Sequence, residues 1–154
     1  MRRLLLSLAL ALPLIAAGCG DSTLTEPEIS ETTFAASLGV DLAAMTVSPT
    51  GLYSRDLVVG GGATAGQGTQ VAVHYALHLP NGTLIEQSPA GDPLDFRLGV
   101  DNLIAGFTEG VKGMRVGGRR QIIVPPSLGY GRQSNGPIPP NSILVFTLEL
   151  VSAT

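Results

Sequence analysis

From Gly51 onward, clusters of Gly and Pro cut the chain into short apolar runs, a spacing that admits turns and sheet rather than a helical bundle. The whole sequence holds 20 Gly and 11 Pro and no Trp, which fits the same reading. Leu52 to Val59 forms a first run, closed by Gly60-Gly61-Gly62. A glycine triplet cradles phosphate when a Lys-Ser/Thr pair and a helix follow it; neither follows here, so this one reads as a flexible connector. Thr69 to Leu79 alternates, with Val71, Val73, Tyr75, Leu77 and Leu79 on one face. Pro80-Asn81-Gly82-Thr83 then predicts a tight hairpin with positive φ at both turn positions, and Leu84-Ile85-Glu86 begins the return. Leu94, Phe96 and Leu98 alternate with Asp95 and Arg97. Leu103, Ile104, Phe107 and Val111 instead share a helical stripe, with Asp101-Asn102 placed to cap its start and Gly113 near its end. Arg119 to Val124 is a strand stopped by Pro125-Pro126, and Ser142 to Val151 closes the chain with Leu144, Phe146, Leu148 and Leu150 on one face. Strands that outnumber a single amphipathic helix imply an α+β domain, an antiparallel β-sheet wrapped around one short α-helix.

The 154 residues divide into three segments: a signal peptide over 1–18, an acidic tether over 19–50 and a domain over 51–154. Met1-Arg2-Arg3 supplies positive charge, Leu4 to Ala17 is uncharged and Leu/Ala-rich, and Ala16-Ala17-Gly18 offers small residues for cleavage before Cys19. The apolar run is shorter than the roughly 20 residues that span a bilayer. Cys19 is the only cysteine, so the chain cannot form an internal disulfide. Leu14-Ile15-Ala16-Ala17-Gly18-Cys19 resembles a bacterial lipobox, with Ala16 where Leu is most usual, and implies lipidation of Cys19. The expected location is the bacterial cell envelope, at the periplasmic face and on the outer membrane in a Gram-negative cell, Gly20 rather than Asp following Cys19. Plain secretion is the alternative. Between Gly20 and Thr50 lie Asp21, Glu26, Glu28, Glu31 and Asp41 with no Lys or Arg, a composition that favours a mobile tether. Its more apolar stretch, Phe34 to Met45, suits either a short helix or docking onto the domain.

The formal net charge is −3, and no basic face is available to neutralise nucleic-acid phosphates. His74 and His78 are four apart on a strand, where about 3.3 Å per residue separates them by roughly 13 Å, too far to share a metal. No Ser-His-Asp or Cys-His set can be assembled, and Glu86 and Asp95 have no neighbours that argue for acid–base tuning. What the residues favour is a pocket. Tyr75, Phe96, Phe107, Tyr130 and Phe146 form the core by default, but a buried phenol needs a hydrogen-bond partner and often stands at a pocket edge.

Val73-His74-Tyr75, Asn81-Gly82, Leu98-Gly99 and Leu103-Ile104-Ala105-Gly106-Phe107-Thr108-Glu109-Gly110 look like successive landmarks of the FKBP-type peptidyl-prolyl cis-trans isomerases. Pro126-Ser127-Leu128-Gly129-Tyr130-Gly131, Ile138-Pro139-Pro140-Asn141 and Leu144 to Leu150 follow in order, so the resemblance runs from about Gly51 to Val151. It implies a proline pocket built from Tyr75, Ile85, Glu86, Leu94, Phe96, Leu103, Ile104, Phe107, Tyr130, Ile138 and Phe146. Phe107 would be its floor and Tyr75, Phe96 and Phe146 its walls, with the Ile104 N–H and the Tyr130 hydroxyl donating to substrate carbonyls and Glu86 contacting the ligand. The implied partners are proline-containing polypeptides, with macrolides of the rapamycin class as inhibitors, and the chemistry needs no metal or cofactor. The sequence departs from the family pattern at Ile85-Glu86 (usually Phe-Asp), Leu94 (often Phe) and Phe107 (commonly Trp). Those departures keep a rival alive, a peptide-binding or chaperone module of the same fold with weak catalysis; a scaffolding lipoprotein is the second rival.

Overall fold

The computed structural model describes residues 26–154. The leader over 1–18 and Cys19 lie outside these residues. Seven strands form one antiparallel sheet: β1 (Thr46–Val47), β2 (Tyr53–Val58), β3 (Gln70–His78), β4 (Leu84–Gln87), β5 (Leu94–Arg97), β6 (Arg119–Val124) and β7 (Leu144–Ala153). Their spatial order is β1-β2-β6-β7-β3-β4, and β5 also pairs with β3. β5 takes Gln70–Val73 and β4 takes Ala76–His78, so the two short strands lie end to end along one edge of β3. The helix α1 (Ala105–Val111) packs on the inner face of the sheet. Leu144, Phe146, Leu148 and Leu150 meet Val71, Val73, Ile122, Val124, Phe107 and Val111 there in the main core.

α1 can lie against β6 because it presents glycines to it. A Cβ on Gly106 would collide with Val124, and one on Gly110 would stand 2.6 Å from Ile122 Cδ1. Overpacking of this kind costs about 1–3 kcal/mol, so the two positions admit little beyond hydrogen. The start of the helix differs from the sequence expectation. Ile104 is the N-cap and makes no side-chain cap. The Asp101 carboxylate accepts instead from the Arg97 N–H at 2.7 Å, closing the turn after β5 four residues before the helix begins.

The β3–β4 hairpin also departs from its predicted geometry. Gly82 has φ +88°, but Asn81 does not share the left-handed region. Pro80 fixes its own φ near −65° and favours an ordinary type I turn, with the Gly82 N–H donating to Leu79 O at 2.9 Å. Gly82 then supplies the single left-handed residue that returns the chain to β4. Gly60 to Gly62 is not a free connector either. Gly62 donates to Val116 O at 3.1 Å and accepts from Arg115 Nε at 3.1 Å.

The tether takes the docked one of the two forms open to its apolar stretch, and Ile29 carries the docking beyond Phe34 to Met45. Residues 26–50 run across the outer face of the sheet as a strap of three 3-10 turns, Ile29–Glu31, Ala36–Leu38 and Leu42–Ala44, ending in β1. Ile29, 4% exposed, packs with Ile123, Ile143 and Val145, flanked by Phe34, Leu38, Val40, Leu42 and Met45. The cause is two-sided burial. Ile123 and Val145 stand directly opposite each other across β6 and β7 and face away from the helix, so an apolar patch needs a cover. Polar contacts pin the strap along its length. Buried Gln121 donates to Leu38 O at 2.7 Å, Ala35 N–H to Pro80 O at 2.8 Å, and Thr50 Oγ1 to the Glu109 carboxylate of α1 at 2.8 Å. Ile29→Ala is expected to lower unfolding free energy by about 2 kcal/mol or more in urea denaturation, the range for deleting a buried aliphatic side chain. A mobile tether would leave the midpoint unchanged.

Candidate functional site

A cavity of about 580 Å³ opens on the inner side of the sheet, where β3, β4, β5, β7 and α1 converge. Strand periodicity turns Tyr75 and Leu77 of β3 to the same side, while register sets Leu77 opposite Phe146 of β7. Glu86 enters from β4 and Leu94 from β5. The loop before α1 contributes Asn102, Leu103 and Ile104, and the segment after the Pro126–Leu128 turn contributes Gly129 and Tyr130.

Phe107 is the hub. It is 4% exposed and stands edge-on to Tyr75 at 5.7 Å and 85°, and to Phe146 at 5.4 Å and 71°. Phe96 lies tilted against it at 5.7 Å. Edge-to-face rings put the positive rim of one against the negative face of another, which holds the floor and walls in fixed relation. The setting is dry enough to change a phenol. Burial, and then the neighbouring Glu86 carboxylate, push the Tyr75 pKa up to about 12. Two donors at the cavity are unspent among the described residues: neither the Ile104 N–H nor the Tyr130 hydroxyl donates to a protein group.

Of the residues implicated by the sequence, Tyr75, Glu86, Leu94, Leu103, Ile104, Phe107, Tyr130 and Phe146 come together around this cavity. Three do not line it. Phe96 sits behind Phe107 in the core, Ile138 is 3% exposed in the same core, and Ile85 is half-buried against that core. Ile85 is the unpaired residue of a bulge between the Leu77–Glu86 and His78–Leu84 pairs, which places it on the core beside the cavity. Leu77, Asn102 and Gly129 line the cavity without having been singled out. Leu77 was detectable, since it shares the alternating face of Tyr75; Gly129 has no side chain to betray it.

His74 Nδ1 lies 2.8 Å from Ser88 Oγ, which also accepts the Tyr75 N–H at 3.1 Å. Among the described residues no three His, Cys, Asp or Glu side chains gather in a metal-binding group, and no helix is long and apolar enough to cross a membrane.

The family profile described as FKBP-type peptidyl-prolyl cis-trans isomerase matches residues 61–151. Among curated proteins, "FK506-binding protein 3" of Candida albicans is 44% identical over 102 residues, 66% of this chain and 24% of that protein. "Peptidyl-prolyl cis-trans isomerase FKBP53" of Arabidopsis thaliana is 42% identical over 108 residues, 68% and 23% of the two chains. This chain thus spans about a quarter of the length of these relatives. Among solved structures, AtFKBP13 superposes with a TM-score of 0.66 at 36% identity, covering 71% of this chain and 98% of its own. FkpA from Escherichia coli gives 0.66 at 38% identity, covering 72% and 52%.

A raised phenol pKa favours the folded state below the ordinary value of 10, and that contribution is lost as pH rises through about 12. In an alkaline titration followed by phenolate absorbance, Tyr75→Phe is expected to remove a step near pH 12. Survival of that step in the variant would assign it to another tyrosine.

Proposed function

The chain belongs to the FKBP-type peptidyl-prolyl cis-trans isomerase family, and we propose that it accelerates X-Pro rotation in unfolded or flexible proteins of the bacterial envelope. The observation that carries this reading is the open, aromatic-floored cavity with the unspent Ile104 N–H and Tyr130 hydroxyl beside it. Rotation about the amide breaks no bond; the barrier of about 18–20 kcal/mol is lost resonance. Water stabilises the charge-separated planar amide, and a cavity that strips it away favours the twisted, less polar form. The prolyl ring rests on Phe107 between Tyr75 and Phe146, while the two donors hold the substrate carbonyls. Every 1.36 kcal/mol removed from the barrier is tenfold in rate, so about 5–6 kcal/mol turns tens of seconds into milliseconds. Macrolides of the rapamycin class would compete for the same cavity.

Exchange of an X-Pro peptide followed by NMR tests the reading. The protein is expected to accelerate exchange, Phe107→Ala to abolish most of the acceleration, and Tyr130→Phe to reduce it several-fold, about 1 kcal/mol for one neutral hydrogen bond. Unchanged exchange with retained peptide binding would transfer the site to the peptide-binding, chaperone-like alternative.

Anchorage belongs to the same proposal. The lipobox-like Leu14–Cys19 run supports lipidation at Cys19, and acyl chains contribute about 0.8 kcal/mol per buried CH₂. Cys19→Ser is expected to move the protein from the membrane fraction to the soluble one in a bacterial host and to block incorporation of labelled palmitate. An unaltered distribution would favour plain secretion.

A further inference from the structure

We infer that Arg120, held by Asp56, is a positioning residue for the isomerase site, supplying from β6 the cationic side chain that the C-terminal end of α1 lacks. This rests on the isomerase reading above. α1 has only seven residues, no side-chain cap at its start and no basic residue in its last turn. A helix so short is marginal by itself; the Lys112 and Met114 N–H groups reach Thr108 O and Val111 O, which leaves the Gly110 and Lys112 carbonyls to an outside partner. The Arg120 guanidinium meets them from outside. Nη1 donates to Gly110 O at 2.9 Å and to Lys112 O at 3.2 Å.

Asp56 fixes the other edge of the same group, accepting from Nε at 2.6 Å and from Nη2 at 3.2 Å. Asp56 and Arg120 are direct cross-strand partners on β2 and β6, and the arginine side chain is 16% exposed. Asp56 is more open, at 42%, and the strength of the pair comes from its bidentate, charge-assisted geometry. A planar guanidinium can serve a carboxylate and two carbonyls together, whereas an ammonium cannot reproduce that fork.

The clamp acts on the one element with no slack. Gly106 and Gly110 already set α1 on Val124 and Ile122 of the strand that carries Arg120. Phe107 lies between those glycines, and Ile104 immediately precedes the helix. Arg120 thereby holds the floor and one donor of the cavity while touching neither. Asp56 falls outside the residues 61–151 that match the family profile.

The test uses the full chain at a temperature where circular dichroism shows every variant folded. Arg120→Met is expected to lower kcat/KM for an X-Pro peptide at least about tenfold, since misplacement by about 1 Å can cost on the order of 10²-fold. Arg120→Lys should recover only part of the loss, and Asp56→Asn should fall between. Val145→Ala weakens the outer face and is expected to keep the rate. A second readout is independent of turnover: the Phe107 ring signals shift and the α1 amides exchange faster in the Arg120 variants, but not in Val145→Ala. Wild-type rate with unmoved Phe107 signals in Arg120→Met overturns the inference. If the wild-type chain accelerates nothing, the functional reading fails, and the ring signals and amide exchange still decide the role of Arg120.

Discussion

Gly106 and Gly110 bring the backbone of α1 against Val124 and Ile122, and everything above the helix takes its height from that contact. Phe107 is pressed up from between them into contact with Tyr75, Phe96 and Phe146, so a helix two turns long becomes the floor of a cavity. The sheet must be flush beneath it. Ile122 and Val124 are fully buried, and β6 is flanked on both sides by paired strands, so it cannot yield. Side-chain precision at the cavity is thus bought by removing side chains at the helix–sheet contact.

The cavity spends little charge. Glu86 is the one ionisable carboxylate in its lining; the rest is aromatic, aliphatic, amide and backbone. Neutral donors such as an N–H and a phenol bind a carbonyl without the desolvation cost of an ion. In the proposed reaction this has a further effect. Backbone-directed donors and an apolar ring seat recognise features common to every X-Pro segment, so the site discriminates proline from other residues more than one client from another.

Much of the sheet was legible because its pattern is period two. β3, β6 and β7 fall where alternating or apolar runs bounded by Gly and Pro placed them. The parts that were not legible share a cause, which is competition for the same residue by distant partners. Asp101 was a plausible cap until the Arg97 N–H claimed it. Asn81-Gly82 reads as a two-residue turn until Pro80 extends the loop. In the strap, Glu26, Glu28, Glu31 and Asp41 with no Lys or Arg favoured a mobile reading, while the Ile29 and Phe34 to Met45 positions decide its docking. Its signal lay elsewhere, in the unbroken Ile122-Ile123-Val124 and Ile143-Leu144-Val145-Phe146 runs, which have apolar side chains on both faces. For the cavity, Tyr75, Leu103, Ile104, Phe107, Tyr130 and Phe146 came with the ordered landmarks, whereas the core positions of Ile85, Phe96 and Ile138 appear only once the chain is packed.

β7 is last in sequence and central in space, lying between β6 and β3. Before it arrives, β2 and β6 can pair, and β3 can pair with β4 and β5, but no strand joins the two groups. The strap waits as well, because Ile143 and Val145 complete the patch under Ile29. A growing chain therefore carries two unjoined half-sheets with open edges until β7 is free to pair. Such non-local closure is slow and exposes aggregation-prone edges in the meantime. By topology, closure of this sheet is a single late event that waits on β7.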